Sequence, residues 1–112
     1  MSQITTHILD TSRGMPASGV TVTLYHFHNH GWDEIATDVT NMDGRVSDLL
    51  PDGLVLEAGN YKMRFDTKAY FDHFGVASFY PFVEVVFTID HEKHYHVPLL
   101  LNPYGYSTYR GS

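Results

Sequence analysis

Three side chains able to move protons or hold a planar anion recur where an alternating pattern turns them outward: His7, Arg45 and His96. Successive side chains on a strand point to opposite faces. In Ile4 to Leu9, the apolar partners Ile4 and Ile8 share a face with Thr6, so His7 looks the other way. In His94 to Leu101, the face built by Tyr95, Val97, Leu99 and Leu101 leaves His94 and His96 on the opposite side. Arg45 follows the Asp43-Gly44 turn pair and opens a short strand through Val46. An imidazole, with a reference pKa of about 6.5, exchanges protons near neutral pH. A guanidinium offers a planar fork of donors to a carbonyl or a developing oxyanion. Taken singly, each of the three is also an ordinary surface residue, and alternation alone does not bring them together in space.

The last run continues the theme. Tyr104, Tyr106, Thr108 and Arg110 alternate with Gly105, Ser107 and Tyr109, and the chain finishes Tyr109-Arg110-Gly111-Ser112. Chain ends usually fray and carry little specificity. A phenol, a guanidinium and a hydroxyl placed here point to a site built with the tail.

Other chemistries have less support. His26, His28 and His30 stand at i, i+2 and i+4, as His94 and His96 stand at i and i+2, which invites a metal reading. Zinc also wants fixed geometry and a second layer of hydrogen bonds. His28 and His30 flank a turn at Asn29 and Gly31, where alternation fails, so a solvated hairpin is the better reading and no functional metal is expected. No nucleophile elbow and no phosphate loop is present, which leaves covalent catalysis unsupported. The aromatic run Tyr70, Phe71, Phe74, Phe79, Tyr80 and Phe82 reads as core packed around a helix, or as part of a subunit interface.

The elements that must position these residues are mostly strands. Val20, Val22 and Leu24 oppose Thr21, Thr23 and Tyr25; Tyr61, Met63 and Phe65 oppose Lys62, Arg64 and Asp66; Val83, Val85, Phe87 and Ile89 oppose Glu84, Val86 and Thr88. Turn signals at Arg13 to Pro16, Asn29 to Gly31, Asn41 to Gly44, Pro51 to Gly53 and Ala58 to Asn60 separate these runs. One segment, Thr67 to Gly75, breaks the period: Asp66 or Thr67 can cap it, Phe71 and Phe74 lie three apart, and Gly75 can stop it. It predicts a helix of about two turns. Seven or eight short strands, spaced by roughly 8–12 residues, predict an antiparallel β-sandwich with one short helix.

The 112 residues, 12.7 kDa, suit one domain over positions 1–112. With no cysteine, disulfide and thiolate-metal frameworks are excluded. A formal net charge of −6, with no Lys/Arg cluster, argues against nucleic-acid binding. No apolar run reaches the roughly 18 residues of a membrane span. Neither a secretory signal nor a Ser-Lys-Leu ending is visible, so a soluble cytoplasmic protein is the expectation.

The residues now in view carry a resemblance. Thr6-His7-Ile8-Leu9-Asp10, Gly14-x-Pro16-Ala17, Asp43-Gly44-Arg45, His94 to Leu101 and Tyr104 to Ser112 together resemble the 5-hydroxyisourate hydrolases of the transthyretin-like family, over essentially the whole chain. The Tyr-Arg-Gly-Ser ending is the specific part, because the vertebrate transthyretins that share the fold lack it and the histidine constellation. The resemblance implies a transthyretin-like antiparallel sandwich of two four-stranded sheets with one short helix. It implies a homotetramer, a dimer of dimers, with sites in a channel where dimers meet. It further implies ring-opening hydrolysis of the cyclic amide 5-hydroxyisourate to 2-oxo-4-hydroxy-4-carboxy-5-ureidoimidazoline in urate catabolism, without a cofactor. His7, Arg45 and His96 carry over as catalytic residues; His7, Arg45, Tyr109, Arg110 and Ser112 carry over as substrate-binding ones. A transthyretin-like protein that holds a small ligand without turnover is the alternative. Phe82 stands where many relatives carry an acidic residue, a departure that bears on packing or assembly rather than on chemistry.

Overall fold

In a computed structural model, which describes residues 2–91 and 93–112, nine strands and one helix form two packed sheets. In chain order these are β1 (Ile4–Asp10), β2 (Met15–Pro16), β3 (Thr21–His28), β4 (Gly31–Val39), β5 (Arg45–Val46), β6 (Gly59–Phe65), α1 (Thr67–His73), β7 (Val83–Ile89), β8 (Tyr95–Asn102) and β9 (Gly105–Thr108). One sheet has the order β4-β3-β6-β7, and the other runs β2-β1-β8-β9 with β5 also paired to β1.

The all-β sandwich with a single short helix is as the alternation predicts. Two details differ from the expected pair of four-stranded antiparallel sheets. The site-bearing sheet has five strands, because the two-residue strands β2 and β5 both pair along β1, at Leu9–Asp10 and at Thr6–His7. The β1–β8 ladder is parallel, running from Ile4 opposite Tyr95 to Asp10 opposite Leu101. A hairpin joins only antiparallel neighbours; here the whole second sheet intervenes in sequence between β1 and β8, which frees them to run the same way.

The core lies between the sheets. Ile4 and Ile8 from β1, Val22 and Leu24 from β3, Tyr61, Met63 and Phe65 from β6, and Leu99 and Leu101 from β8 are each at most 2% exposed. Burying one such Leu, Ile or Phe contributes about 1.5–3 kcal/mol. These residues hold every second position, so the register of β1 and β8 is fixed by burial: a slip of one residue would expose all of the apolar side chains. The same alternation leaves Thr5, His7 and His96 half-buried on the outer face.

The helix is tied to the last residue of β1. Tyr70 packs inward from α1 and donates its hydroxyl to the wholly buried Asp10 at 2.8 Å. The other Asp10 oxygen accepts from the Ser12 hydroxyl at 2.6 Å. Asp66 is the N-cap residue but makes no side-chain capping bond, and Gly75, at φ +67°, supplies the left-handed residue just beyond the last turn.

The β3–β4 connection decides the histidine run. Asn29 and His30 are both left-handed, at φ 50° and 62°, as a two-residue type I′ hairpin requires. His30 is therefore a turn residue, and His28 pairs with Gly31. His26 instead stacks on Tyr61, with ring centroids 4.6 Å apart. Among the described residues, no three His, Asp or Glu side chains gather closely enough to hold a metal ion.

Candidate active site on the outer sheet face

Arg45 reaches the outer face through a tight turn pressed against β1. The antiparallel β1–β5 pairing sets Arg45 directly opposite His7. The Asn41 carboxamide oxygen accepts from the backbone N–H of Asp43 at 2.9 Å and of Arg45 at 3.1 Å, wrapping the turn around one side chain. Gly44 lies at φ +72°, where L side chains are strained. A β-carbon there would come within 2.5 Å of the Ile8 carbonyl oxygen, so the turn sits closer to β1 than any other residue permits.

His96 is held from two sides. Parallel pairing places Thr5 opposite His96, and the Thr5 Oγ1 lies 2.8 Å from His96 Nδ1 and 2.8 Å from His94 Nε2. From the other side the tail folds back as an isolated antiparallel bridge, with Gly111 N–H donating to the His96 carbonyl at 2.9 Å. The tail thereby brings Ser112 to a pocket of about 260 Å³, shared with Thr5, Arg45, Ser47, His94 and His96. His7 stands beside this pocket on the same sheet face, opposite Arg45.

The electrostatics favour the neutral form of both imidazoles. For His7, burial pushes the pKa below its ordinary value and the Arg45 guanidinium pushes it further; the Asp43 backbone and carboxylate pull the other way. For His96, burial again acts first, followed by Arg45, His94 and His7, all against the cation, with a Thr5 backbone hydrogen bond opposing them. Arg45 pairs with His7 across β1 and β5 and lines one pocket with His96, so the three groups share one locality. In the neutral form, two such bases beside a permanent cation can take a proton from water while the cation faces the resulting negative charge.

The tail residues divide. Ser112 reaches the histidine–arginine pocket. Tyr109 and Arg110 instead line a separate cavity of about 290 Å³ with Val85, Phe87, Tyr95 and Val97. The Arg110 guanidinium carbon sits 4.5 Å from the centre of the Tyr95 ring, a cation–π contact that anchors the tail from within the open side of the sandwich. Simple alternation does not account for the division, since the adjacent Tyr109 and Arg110 share a cavity while Arg110 and Ser112, two residues apart, part company. Four residues that line the pocket escaped the sequence reading as site residues: Thr5, Thr6, Ser47 and His94. Thr5 and Ser47 sit two residues from His7 and Arg45, and that spacing was the available signal. His94 was weighed only as a metal ligand, and Thr6 only as part of a motif.

Fold and site together define a small two-sheet β-sandwich with a histidine–arginine cluster on the outer face of one sheet. The chain belongs to the HIUase/Transthyretin family, which it matches over residues 4–111. It is 50% identical over 112 residues to a probable 5-hydroxyisourate hydrolase of Schizosaccharomyces pombe, covering 97% of this chain and 90% of that one. It is 48% identical over 114 residues to the 5-hydroxyisourate hydrolase of Mus musculus, covering 99% and 96%. Among solved structures, the Klebsiella pneumoniae 5-hydroxyisourate hydrolase superposes with a TM-score of 0.86 at 39% identity, covering 97% and 98%. Sea bream transthyretin in complex with thyroxine superposes with a TM-score of 0.91 at 35% identity, covering 98% and 95%. No helix is long and apolar enough to cross a membrane, among the described residues. At the position of the departure noted in sequence, the Phe82 ring receives the Arg64 guanidinium at 4.0 Å.

Proposed function

We propose that this protein hydrolyses 5-hydroxyisourate, opening its six-membered ring at the amide bond to give 2-oxo-4-hydroxy-4-carboxy-5-ureidoimidazoline. The observation that carries the reading is the pairing of His7 with Arg45 across β1 and β5, beside a His96 clasped by the tail. His7 and His96 activate water and return its proton. The oxygen of that water bonds to the ring carbonyl carbon, the carbon–nitrogen bond then breaks, and the proton goes to the departing ring nitrogen. Acid–base help of this kind is worth about 10²–10⁴-fold. Arg45 holds the flat ring and meets the oxyanion with its fork of donors. Ser112 orients substrate or water from the tail, while Tyr109 and Arg110 fasten the tail in place. The chemistry needs no cofactor.

A cluster on an outer sheet face is open to water, whereas small-molecule sites are usually concave. We therefore propose a homotetramer, a dimer of dimers, in which a neighbouring copy covers this face and completes the site where dimers meet. The thyroxine complex of sea bream transthyretin favours one second reading, a carrier that binds a small aromatic ligand without turnover. Ultraviolet spectroscopy of freshly generated 5-hydroxyisourate separates the two. Decay accelerated above the spontaneous rate supports the hydrolase, and an unchanged rate leaves the carrier.

A further inference from the structure

One hydroxyl stands between two imidazoles. The Thr5 Oγ1 is 2.8 Å from the Nδ1 of His96 and 2.8 Å from the Nε2 of His94, and the two rings lie nearly parallel, 24° apart with centroids at 6.3 Å. A threonine hydroxyl has a single proton to donate. When it donates to one ring it accepts from the other, an arrangement that gives the two histidines opposite hydrogen-bonding roles. Among the described residues nothing engages the Nε2 of His96, which is left for the pocket. The environment is asymmetric as well: His96 is half-buried near Arg45 and His7, whereas His94 is exposed.

We propose that Thr5 and His94 form a proton relay behind His96, so that one histidine serves as both base and acid in the hydrolysis. The proposal rests on the reading of the protein as a hydrolase. In the resting state the Nδ1–H of His96 donates to Thr5, and the Thr5 hydroxyl donates to the Nε2 of His94. When water attacks, its proton passes to the Nε2 of His96. The Nδ1 proton moves to Thr5 Oγ1, and the Thr5 proton moves to the Nε2 of His94. One proton has entered and the charge resides on His94, at the solvent, rather than on His96 beside the Arg45 and His7 groups. His96 is left neutral with a proton on Nε2, aimed at the site, and gives it to the departing ring nitrogen as the relay runs back. No alkoxide forms, because Thr5 gains one proton as it loses the other. Thr5 and His94 are positioning residues here: they act through His96.

The test compares Thr5→Val, which keeps shape and removes the hydroxyl, with Thr5→Ser, which restores it, and with His94→Phe. Expected for Thr5→Val is a fall in kcat of about 10–100-fold, the scale known for groups that orient metal-bound imidazoles, with KM little changed, and recovery in Thr5→Ser. Rates in mixed light and heavy water should bend for the wild type and Thr5→Ser, as several protons move together, and run straight for Thr5→Val and His94→Phe. The His94→Phe result is decisive in sign. A neighbour that acts only by its charge would, once removed, make His96 a better base, whereas loss of a relay slows turnover. Wild-type kcat in Thr5→Val, or faster turnover in His94→Phe, overturns the proposal. Nitrogen NMR of the His96 ring gives a reading that does not depend on activity. The Nδ1–H form in the wild type, lost in Thr5→Val, supports the relay, and the same form in both proteins overturns it. A wild-type protein that leaves substrate decay unchanged overturns the hydrolase reading instead, with the ring form still deciding the hydrogen-bonding arrangement.

Discussion

Gly111 lies flat against the imidazole of His96. A β-carbon at position 111 would fall 2.6 Å from Cδ2 of that ring and 3.2 Å from Cγ. Real β-carbons do not approach other atoms so closely, so no side chain fits between tail and ring. The bridge from Gly111 N–H to the His96 carbonyl therefore depends on glycine for space, although its backbone conformation is not left-handed.

Gly111→Ala should push the ring or the tail aside while leaving the core intact. A misplacement of about 1 Å at a catalytic group can cost roughly a hundredfold in rate. A loss of kcat/KM on that order is expected, with the thermal midpoint within a few degrees of the wild type. Deleting residues 109–112 should go further and abolish turnover, since Ser112 and the clasp on His96 go together. Steady-state kinetics beside a melting curve check both, and full activity in either variant removes the tail from the site.

His96→Ala removes the group that both the pocket and the tail converge upon. Its side chain is on the outer face, outside the packed layer, so the fold should persist. Turnover should drop by at least about a hundredfold, on the scale of acid–base catalysis. Near-normal kinetics in a folded variant would take His96 out of the mechanism.

The titration of the two histidines follows from their surroundings. Burial first, and Arg45 second, lower the pKa of both His7 and His96. The neutral, proton-accepting form thus persists to lower pH than for a free imidazole, and activity should fall only on the acid side, below about pH 6.5. In Arg45→Gln one cationic neighbour is gone and the neutral form loses that support. Both pKa values should rise, yet remain depressed because burial is unchanged. NMR titration of the ring protons reads this without requiring activity, and unmoved midpoints would show that Arg45 does not act on them. Arg45→Lys should keep the charge but lose the fork, so its kinetics should fail where its titration does not.

Gly44→Ala tests the turn that delivers Arg45. A left-handed alanine costs about 1–2 kcal/mol, and here its β-carbon also meets the Ile8 carbonyl oxygen at 2.5 Å and the Pro16 side chain at 3.0 Å. Urea unfolding should show a lower midpoint by more than the left-handed cost alone, and the detached turn should carry Arg45 away from His7. A variant with wild-type stability and activity would show that this close approach is dispensable.

Much of this architecture was legible before any coordinates. In β6 and β8 every second residue is apolar, in β1 and β3 the pattern shows at Ile4 and Ile8 and at Val22 and Leu24, and burial follows it. The helix at Thr67–His73, with its glycine stop, announced itself by breaking the period. The outward orientation of His7 and His96 needed nothing more than counting by twos, because strand geometry is local. Motifs spanning the chain carried the family.

What alternation leaves open is which strands become neighbours. The parallel alignment of β1 with β8 depends on contacts between residues some ninety positions apart, and no local preference encodes it. That alignment sets Thr5 against His96, and the β1–β5 pairing sets Arg45 against His7. The tail is the clearest case. Tyr109, Arg110 and Ser112 read as one cluster along the sequence, yet Arg110 turns to the Tyr95 ring and Ser112 to the histidines. Residue types and strand faces were written in the chain through burial of every second side chain. The meeting of those faces in one pocket was decided by long-range pairing, whose energy exists only once the sandwich has formed.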